Sequence, residues 1–345
     1  MAIDVVVAGL GVRGAAWVRE VGAHPAFELA ACVDVDPEAL ERAGAELEVP
    51  TERRFTALDE ALESGPCDAL IVATSADRHV EPCRLALSRG LGLLVEKPFT
   101  TRLGEAVELV ELAEQAGAPV VVGQNYRYMR GRQAARRVVS EGALGRVAMA
   151  VAHYYHGSDH LPPHQAEMPQ SVLWGPVVHH IDSLSYVLGK RITGVMADTF
   201  TTPGGSLPEG ASIHALLALE DDVRAMYSAT YESKGHEFFE RGQEYYERLI
   251  GERATLHMFH RWLVLCERGK RPRVIRRGSR PVTEESRLLT QLQRALLDGE
   301  EPDSSGHGNL ETVAAMEACI HSARQGCWVN PQELLAESRT GRNAV

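Results

Sequence analysis

A chain of 345 residues, 44% hydrophobic and 24% charged, has the composition of a globular protein with enough length for two cores. Its formal net charge of -11, with no long run of Lys or Arg, opposes the field that phosphate backbones and anionic lipids reward, so neither nucleic acid nor a membrane surface is an expected partner. No stretch approaches the ~20 apolar residues of a membrane span, the cysteines at 32, 67, 83, 266, 319 and 327 form no C-x-x-C pair, and Met1 leads directly into a strand-like run. A soluble cytoplasmic protein with reduced thiols is expected. In the first 123 residues, apolar runs at 3–8, 28–33, 68–73, 91–95 and 119–123 alternate with helical segments such as 37–46, 78–88 and 104–115. That alternation predicts a parallel sheet with helices on both faces. A helix over 129–141 follows, then strand-like segments at 146–156, 192–202, 211–219, 223–231, 247–250, 255–259 and 262–266, and helices at 284–298 and 307–325. Residues 201–210 and the tail after 337 read as loose. The second half is therefore predicted to be α+β with a large, mostly antiparallel open sheet. The expected domains are 1–124 and 125–345.

Gly9-Leu10-Gly11-Val12-Arg13-Gly14 follows the first strand and opens a helix, the context in which a G-x-G-x-x-G run carries meaning. Gly9 permits the tight turn, Gly11 lets the backbone approach a diphosphate, and Gly14 lets helix and strand close up over the helix's positive end. Asp34 stands 20 residues beyond Gly14 at the tip of the second strand. A carboxylate there accepts adenosine ribose hydroxyls and repels a 2′-phosphate, which favours NAD over NADP; Arg13 and Arg42 are nearby cations of unknown placement. Gly9, Gly11, Val12, Arg13, Gly14 and Asp34 are the first cofactor candidates of a Rossmann domain.

Leu94-Val95-Glu96-Lys97-Pro98 comes next, with Ala73-Thr74 and His79 before it. Asn125-Tyr126-Arg127, Gly142-Ala143-Leu144-Gly145, His179-His180-Ile181-Asp182 and Asn309-Leu310 come after it. In these runs, spread over essentially the whole chain, the sequence resembles the Gfo/Idh/MocA family, which includes glucose–fructose oxidoreductase and inositol dehydrogenase. The resemblance implies a Rossmann domain followed by a domain whose open sheet supports a homodimer or homotetramer, and chemistry at one hydroxyl or ketone of a sugar, inositol or similar small polar substrate. It places Thr74, Ser75, His79, Glu96, Lys97 and Asn125 near the cofactor, with Ser75 standing where the family usually has Pro. Lys97 suits catalysis physically, since it follows a strand's carboxyl end and an ammonium there can donate to the reacting oxygen. Glu96 is expected to position it.

Trp174 to Leu184 reads as a helix with Gly175 near the N-cap and Pro176 in the first turn, so that His179 falls at the positive end and stays neutral, able to take a substrate proton. By resemblance His179 is the catalytic histidine. Positions 175, 179 and 182 share a helix face, and Asp182 is the candidate partner that orients the imidazole. Relatives commonly carry an acid where this chain has Gly175. His153 to His164 holds four histidines, but Pro162 and Pro163 break the helix that would bring His160 and His164 together, so no metal is expected. Strand alternation puts His153 and Tyr155 on one face and Tyr154 and His156 on the other. Lys97, Tyr126, Arg127, Tyr155, His156, His179 and His180 are the substrate candidates, and the stretch from Tyr231 to His236 is a further one. The reading these observations favour is an NAD-dependent dehydrogenase or reductase of a sugar, cyclitol, amino sugar or glycoside. A redox-assisted glycoside hydrolase and a non-catalytic NAD-binding regulator stay open, the latter because of Gly175.

Overall fold

The computed structural model describes residues 2–157, 161, 163–203, 205, 207–233, 243–259, 262–278 and 282–341. Among them no helix is long and apolar enough to cross a membrane. By backbone proximity the chain forms two compact units, residues 1–125 with 282–313, and residues 126–281 with 314–345.

The first unit opens with β1 (Ile3–Ala8), α1 (Val12–Ala23), β2 (Phe27–Val33), α2 (Pro37–Leu47), β3 (Arg54–Phe55), α3 (Leu58–Glu63) and β4 (Ala69–Val72). It continues with α4 (Val80–Ser88), β5 (Gly92–Val95), α5 (Leu103–Ala116) and β6 (Val120–Val122). All six strands are parallel, in the order β3-β2-β1-β4-β5-β6. β4, β5 and β6 are buried along their whole length, as expected for unbroken apolar runs covered on both faces. This is the doubly wound order that places ligands at the strands' carboxyl ends.

The second unit holds α6 (Arg130–Ser140), β7 (Val147–His156), α7 (Pro163–Ala166), α8 (Val178–Leu188), β8 (Ile192–Phe200), β9 (Ser212–Leu219) and β10 (Arg224–Thr230). Then come β11 (Gln243–Gly251), β12 (Ala254–Phe259), β13 (Leu263–Glu267) and β14 (Arg273–Val274). The sheet runs β14-β13-β12-β11-β7-β10-β9-β8, with only β7 and β10 parallel to each other. Its faces alternate along β7: Ala150, Ala152, Tyr154 and His156 are buried, whereas Met149 is exposed and Val151, His153 and Tyr155 are half-buried.

The closing helices are α9 (Glu284–Asp298), α10 (Gly306–Gln325) and α11 (Pro331–Arg339). The sequence divides the chain once, at 124/125, whereas the folded chain returns to the first unit for α9. The cause is its apolar stripe: Leu288, Leu289, Leu292 and Ala295 are buried, the helix packs on α1, β5 and β6, and Leu296 fills the space over Gly92. The expected helix beginning at Gly175 is also corrected. The backbone is helical from residue 171, passes through a π-turn at Leu173–Val177, and continues as α8. Pro176 sits inside that wider turn, which accommodates a residue that lacks an amide donor.

Candidate active site

In the first unit, Gly9 leaves β1 at φ 90°, and a Cβ there would stand 2.7 Å from the Ala73 backbone. A Cβ on Gly14 would overlap the Gly9 carbonyl oxygen, so helix and strand close only over glycine. Around Gly11, by contrast, nothing lies within 4 Å of the Cβ position, and no side chain caps α1 there. The first-turn amides of α1 therefore face open space, a cradle that fits a diphosphate. Asp34 accepts hydrogen bonds from the Leu10 amide at 2.6 Å and the Asp36 amide at 2.9 Å, which fixes its carboxylate beside the loop. Val12 and Val35, neighbours of the loop and of Asp34 in sequence, are 89% and 74% exposed, apolar surface of the kind a nucleoside covers. Val35 was missed by sequence reasoning, although an apolar residue between Asp34 and Asp36 is a signal. Both cations left open by the sequence are engaged by carboxylates: Arg42 pairs with Asp36 at 3.6 Å, and Arg13 with Glu96 at 2.7 Å and Glu285 at 3.1 Å.

The Glu-Lys-Pro turn is framed by the same groups. Glu96, 4% exposed, accepts from Arg13 Nε at 2.7 Å, from Trp17 Nε1 at 2.9 Å and from the Lys97 amide at 3.3 Å. It steadies Lys97 through the backbone, and its negative charge also favours the ammonium. Burial outweighs that and holds the half-buried Lys97 below the usual lysine range, with the Arg13 charge acting in the same direction. His79 is buried, with Nδ1 2.9 Å from the Pro98 carbonyl oxygen and Nε2 3.2 Å from that of Thr74. Burial lowers its pKa against the pull of those carbonyls, and the neutral ring, which carries one N–H, ties the loop after β4 to the Glu-Lys-Pro turn through the shorter contact, to Pro98. Thr74 Oγ1 donates to the Arg78 carbonyl at 3.2 Å, and Ser75 has φ -68°, the angle a proline would impose. Asn125 Nδ2 donates to Glu285 at 3.2 Å. Glu285, absent from the sequence reading, thus holds Arg13 and Asn125 together, and no local pattern in the sequence points to it.

In the second unit, His179 is 6% exposed and its ring stacks on Tyr126, centroids 4.1 Å apart and planes 7° from parallel. His179 lies about two turns from the residue at which the helix begins, so the positive end of the helix, whose influence fades within one turn, does not reach it. Both oxygens of Asp182, the expected partner of the imidazole, accept from the Arg127 guanidinium, at 2.7 and 2.6 Å. That bidentate pair is buried, and Arg127 stacks over Tyr186 at 5.4 Å. Arg127, expected at the substrate, and Asp182, expected at the imidazole, thus form an ion pair. His180, expected at the substrate, is 3% exposed, with Nδ1 2.5 Å from Tyr227 Oη and the rings of Tyr126, Tyr154 and Tyr245 around it. Tyr155 and His156 point to opposite faces of the sheet. Tyr155 donates to Ser228 on the more open face at 3.3 Å, whereas His156 packs against Tyr154 and Tyr231. His160 and residues 234–236 lie outside the described residues, as does the side chain of His164. Among the described residues, no group of three His, Cys, Asp or Glu side chains could hold a metal ion.

Residues 3–124 match the oxidoreductase family with an NAD-binding Rossmann fold, and residues 132–257 match the GFO/IDH/MocA C-terminal domain. The chain belongs to the Gfo/Idh/MocA family. It is an NAD-binding oxidoreductase of that family, and the first unit carries its dinucleotide domain. The chain is 30% identical to the myo-inositol dehydrogenase Hyg17 of Streptomyces leeuwenhoekii over 237 residues, 66% of this chain and 69% of that one. It is 27% identical to a D-apiose dehydrogenase of Paraburkholderia graminis over 328 residues, 90% of this chain and 85% of that one. In fold it is similar to an oxidoreductase from Agrobacterium radiobacter crystallised with NAD+, L-tartaric acid and magnesium, with a TM-score of 0.86, 22% identity and coverage of 97% and 100%.

Proposed function

We propose that this Gfo/Idh/MocA member transfers a hydride between NAD and a hydroxyl or ketone carbon of a sugar or cyclitol. The observation that carries this reading is Lys97, half-buried at the carboxyl end of β5 in a turn that Glu96 ties to the phosphate loop through Arg13 and Trp17. Sugar and inositol dehydrogenases among the relatives support the substrate class. The groups that would hold the dinucleotide are the α1 amides over Gly9, Gly11 and Gly14, the Asp34 carboxylate toward ribose, and Val12 and Val35. NAD, when bound, supplies the two-electron hydride acceptor or donor. Lys97 donates a hydrogen bond to the reacting oxygen and stabilises its alkoxide character. His179 accepts the substrate hydroxyl proton, and the flat stack on Tyr126 limits the imidazole's rotation. Burial keeps the Tyr126 phenol above its ordinary range, so that stacking partner stays neutral. His156 is assigned to the substrate side of its sheet. Arg127 and Asp182 are assigned to the frame that holds the segment after Asn125 against α8, and Thr74 and His79 to the loop behind the cofactor.

Met149, Leu216 and Met226, all more than two-fifths exposed, and Tyr155 belong to the more open face of the second sheet, which supports assembly into a homodimer or homotetramer. Free thiols at the six cysteines suit a cytoplasmic setting. The deciding experiment follows absorbance at 340 nm with NAD and a panel of myo-inositol, D-apiose, aldopentoses, aldohexoses and glycosides, with product analysis. NADH appearing with a polyol supports the proposal, whereas glycoside cleavage without net NADH, or silence across the panel, overturns it.

A further inference from the structure

Gly175 stands four residues before His179, in the π-turn that leads into α8. A Cβ at Gly175 would collide with Tyr231 Oη and with Gln165 Nε2. The space a side chain would take is therefore filled by two polar groups from elsewhere, one just past the end of β10 and one from α7. Gln165 Nε2 donates to Tyr231 Oη at 2.6 Å, and Tyr231 is 4% exposed. The Tyr231 ring meets His156 edge-on at 5.9 Å. Burial pushes its phenol far above the ordinary range, and the nearby phenols of Tyr154 and Tyr126 push the same way, so the hydroxyl keeps its proton. Gln165 is the hydrogen-bond partner of that hydroxyl among the described residues, and with its Nε2 turned to the phenol oxygen the phenol proton is left to face a ligand oxygen. A buried donor of this kind costs free energy unless a ligand supplies the acceptor.

We propose that Tyr231, held by Gln165 over Gly175, donates a hydrogen bond to a substrate oxygen next to the reacting carbon, and so selects vicinal polyols. The inference rests on the reading of His179 as the base. Tyr231 Oη occupies the Cβ position of Gly175, four residues before His179, so the phenol and the imidazole belong to one stretch of helix, as recognition of neighbouring oxygens of one diol requires. A neutral phenol and amide in the place of a helix-borne side chain also leave the selection independent of a carboxylate at this position. Gly175 is then required by contact: only a residue without Cβ leaves the pair in place.

The test compares Tyr231→Phe with the parent protein on whichever of myo-inositol or D-glucose is oxidised, and on its monodeoxy forms. Tyr231→Phe keeps the ring, and NADH fluorescence titration reports whether fold and cofactor site persist. Expected is a loss of about tenfold in kcat/KM, the worth of one neutral hydrogen bond, carried mostly by KM. The loss shrinks toward nothing for the deoxy form that lacks the recognised oxygen. Gln165→Leu moves in the same direction by less. Gly175→Ala is harmful alone and milder in the Tyr231→Phe background, where the nearest ring atom is Cζ at 3.3 Å from the new Cβ. Equal losses on every deoxy form, no loss at all, or a larger loss on a sugar acid than on the diol would overturn the proposal. If the parent protein oxidises no polyol, the dehydrogenase reading falls and this inference falls with it.

Discussion

The two units present their chemistry with different materials. In the first, the groups proposed to act are mostly backbone amides and residues close to strand ends, so that a glycine spacing and a Glu-Lys-Pro triplet specify them almost completely. In the second, they are side chains gathered from Tyr126, Gln165, His179 and Tyr231, four segments that share no local pattern. Where backbone does the binding, a short motif suffices. Where side chains from separate elements converge, the motif names one member and leaves its surroundings unstated, as it did for His179.

Breaking this comparison at its strongest point means removing the long side chain proposed to carry the first unit's chemistry. Lys97→Met should lower kcat by about a thousandfold while sparing NADH binding, and retained turnover would sink its proposed role. Because burial depresses the Lys97 pKa, the ammonium is lost as pH rises through a value below 10.5, the usual lysine pKa. The rate should therefore fall on the alkaline side earlier than an exposed lysine would allow, a limb absent from the pH profile of NADH binding.

The next largest effect tests whether Asp182 belongs to the chemistry or to the frame. Asp182→Asn leaves the buried Arg127 cation without its carboxylate, and loss of one partner of such a pair costs about 3–5 kcal/mol of stability. A large drop in unfolding temperature is the expected result. An unchanged melting curve with a collapsed kcat would return Asp182 to the imidazole. Smaller again is Asp34→Ala, which removes a charge-assisted acceptor and should weaken NAD binding by about ten- to a hundredfold. NADP binding should suffer far less, and equal losses in titration would exclude the ribose assignment.

The same contrast governs what could be read from the sequence. The long apolar runs of β4, β5 and β6 and the alternating pattern of β7 were legible, because burial on two faces or on one writes a distinct period into the chain. β3 and α3 were not, since a two-residue strand and a six-residue helix are too short to carry a period. Trp174-Gly175-Pro176 reads as a helix start because Gly and Pro usually mark one, yet the chain passes through them in a π-turn. The Asn330-Pro331 start of α11 carries a cap signal in the sequence, with Asn330 accepting from the Gln332 amide at 2.9 Å. The Asp182–Arg127 pair had no signature, because 55 residues separate its members.

Glu285 gives the smallest expected effect and the sharpest limit on the claim that the first unit's site is local. It reaches Arg13 of the phosphate loop from a position 272 residues later and also accepts from Asn125. Arg13 is 40% exposed on its side chain, so solvent screens the pair, and the neutral variant Glu285→Gln keeps a carbonyl oxygen able to accept from both donors. The loss in NADH affinity should therefore be modest, about threefold, and should diminish further at high salt as the remaining charge contribution is screened. Glu285→Ala removes the acceptor as well and should cost more. A loss for Glu285→Gln as large as that for Asp34→Ala would mean that the loop's conformation depends on α9, and that even the backbone cradle is set by a contact no short motif contains.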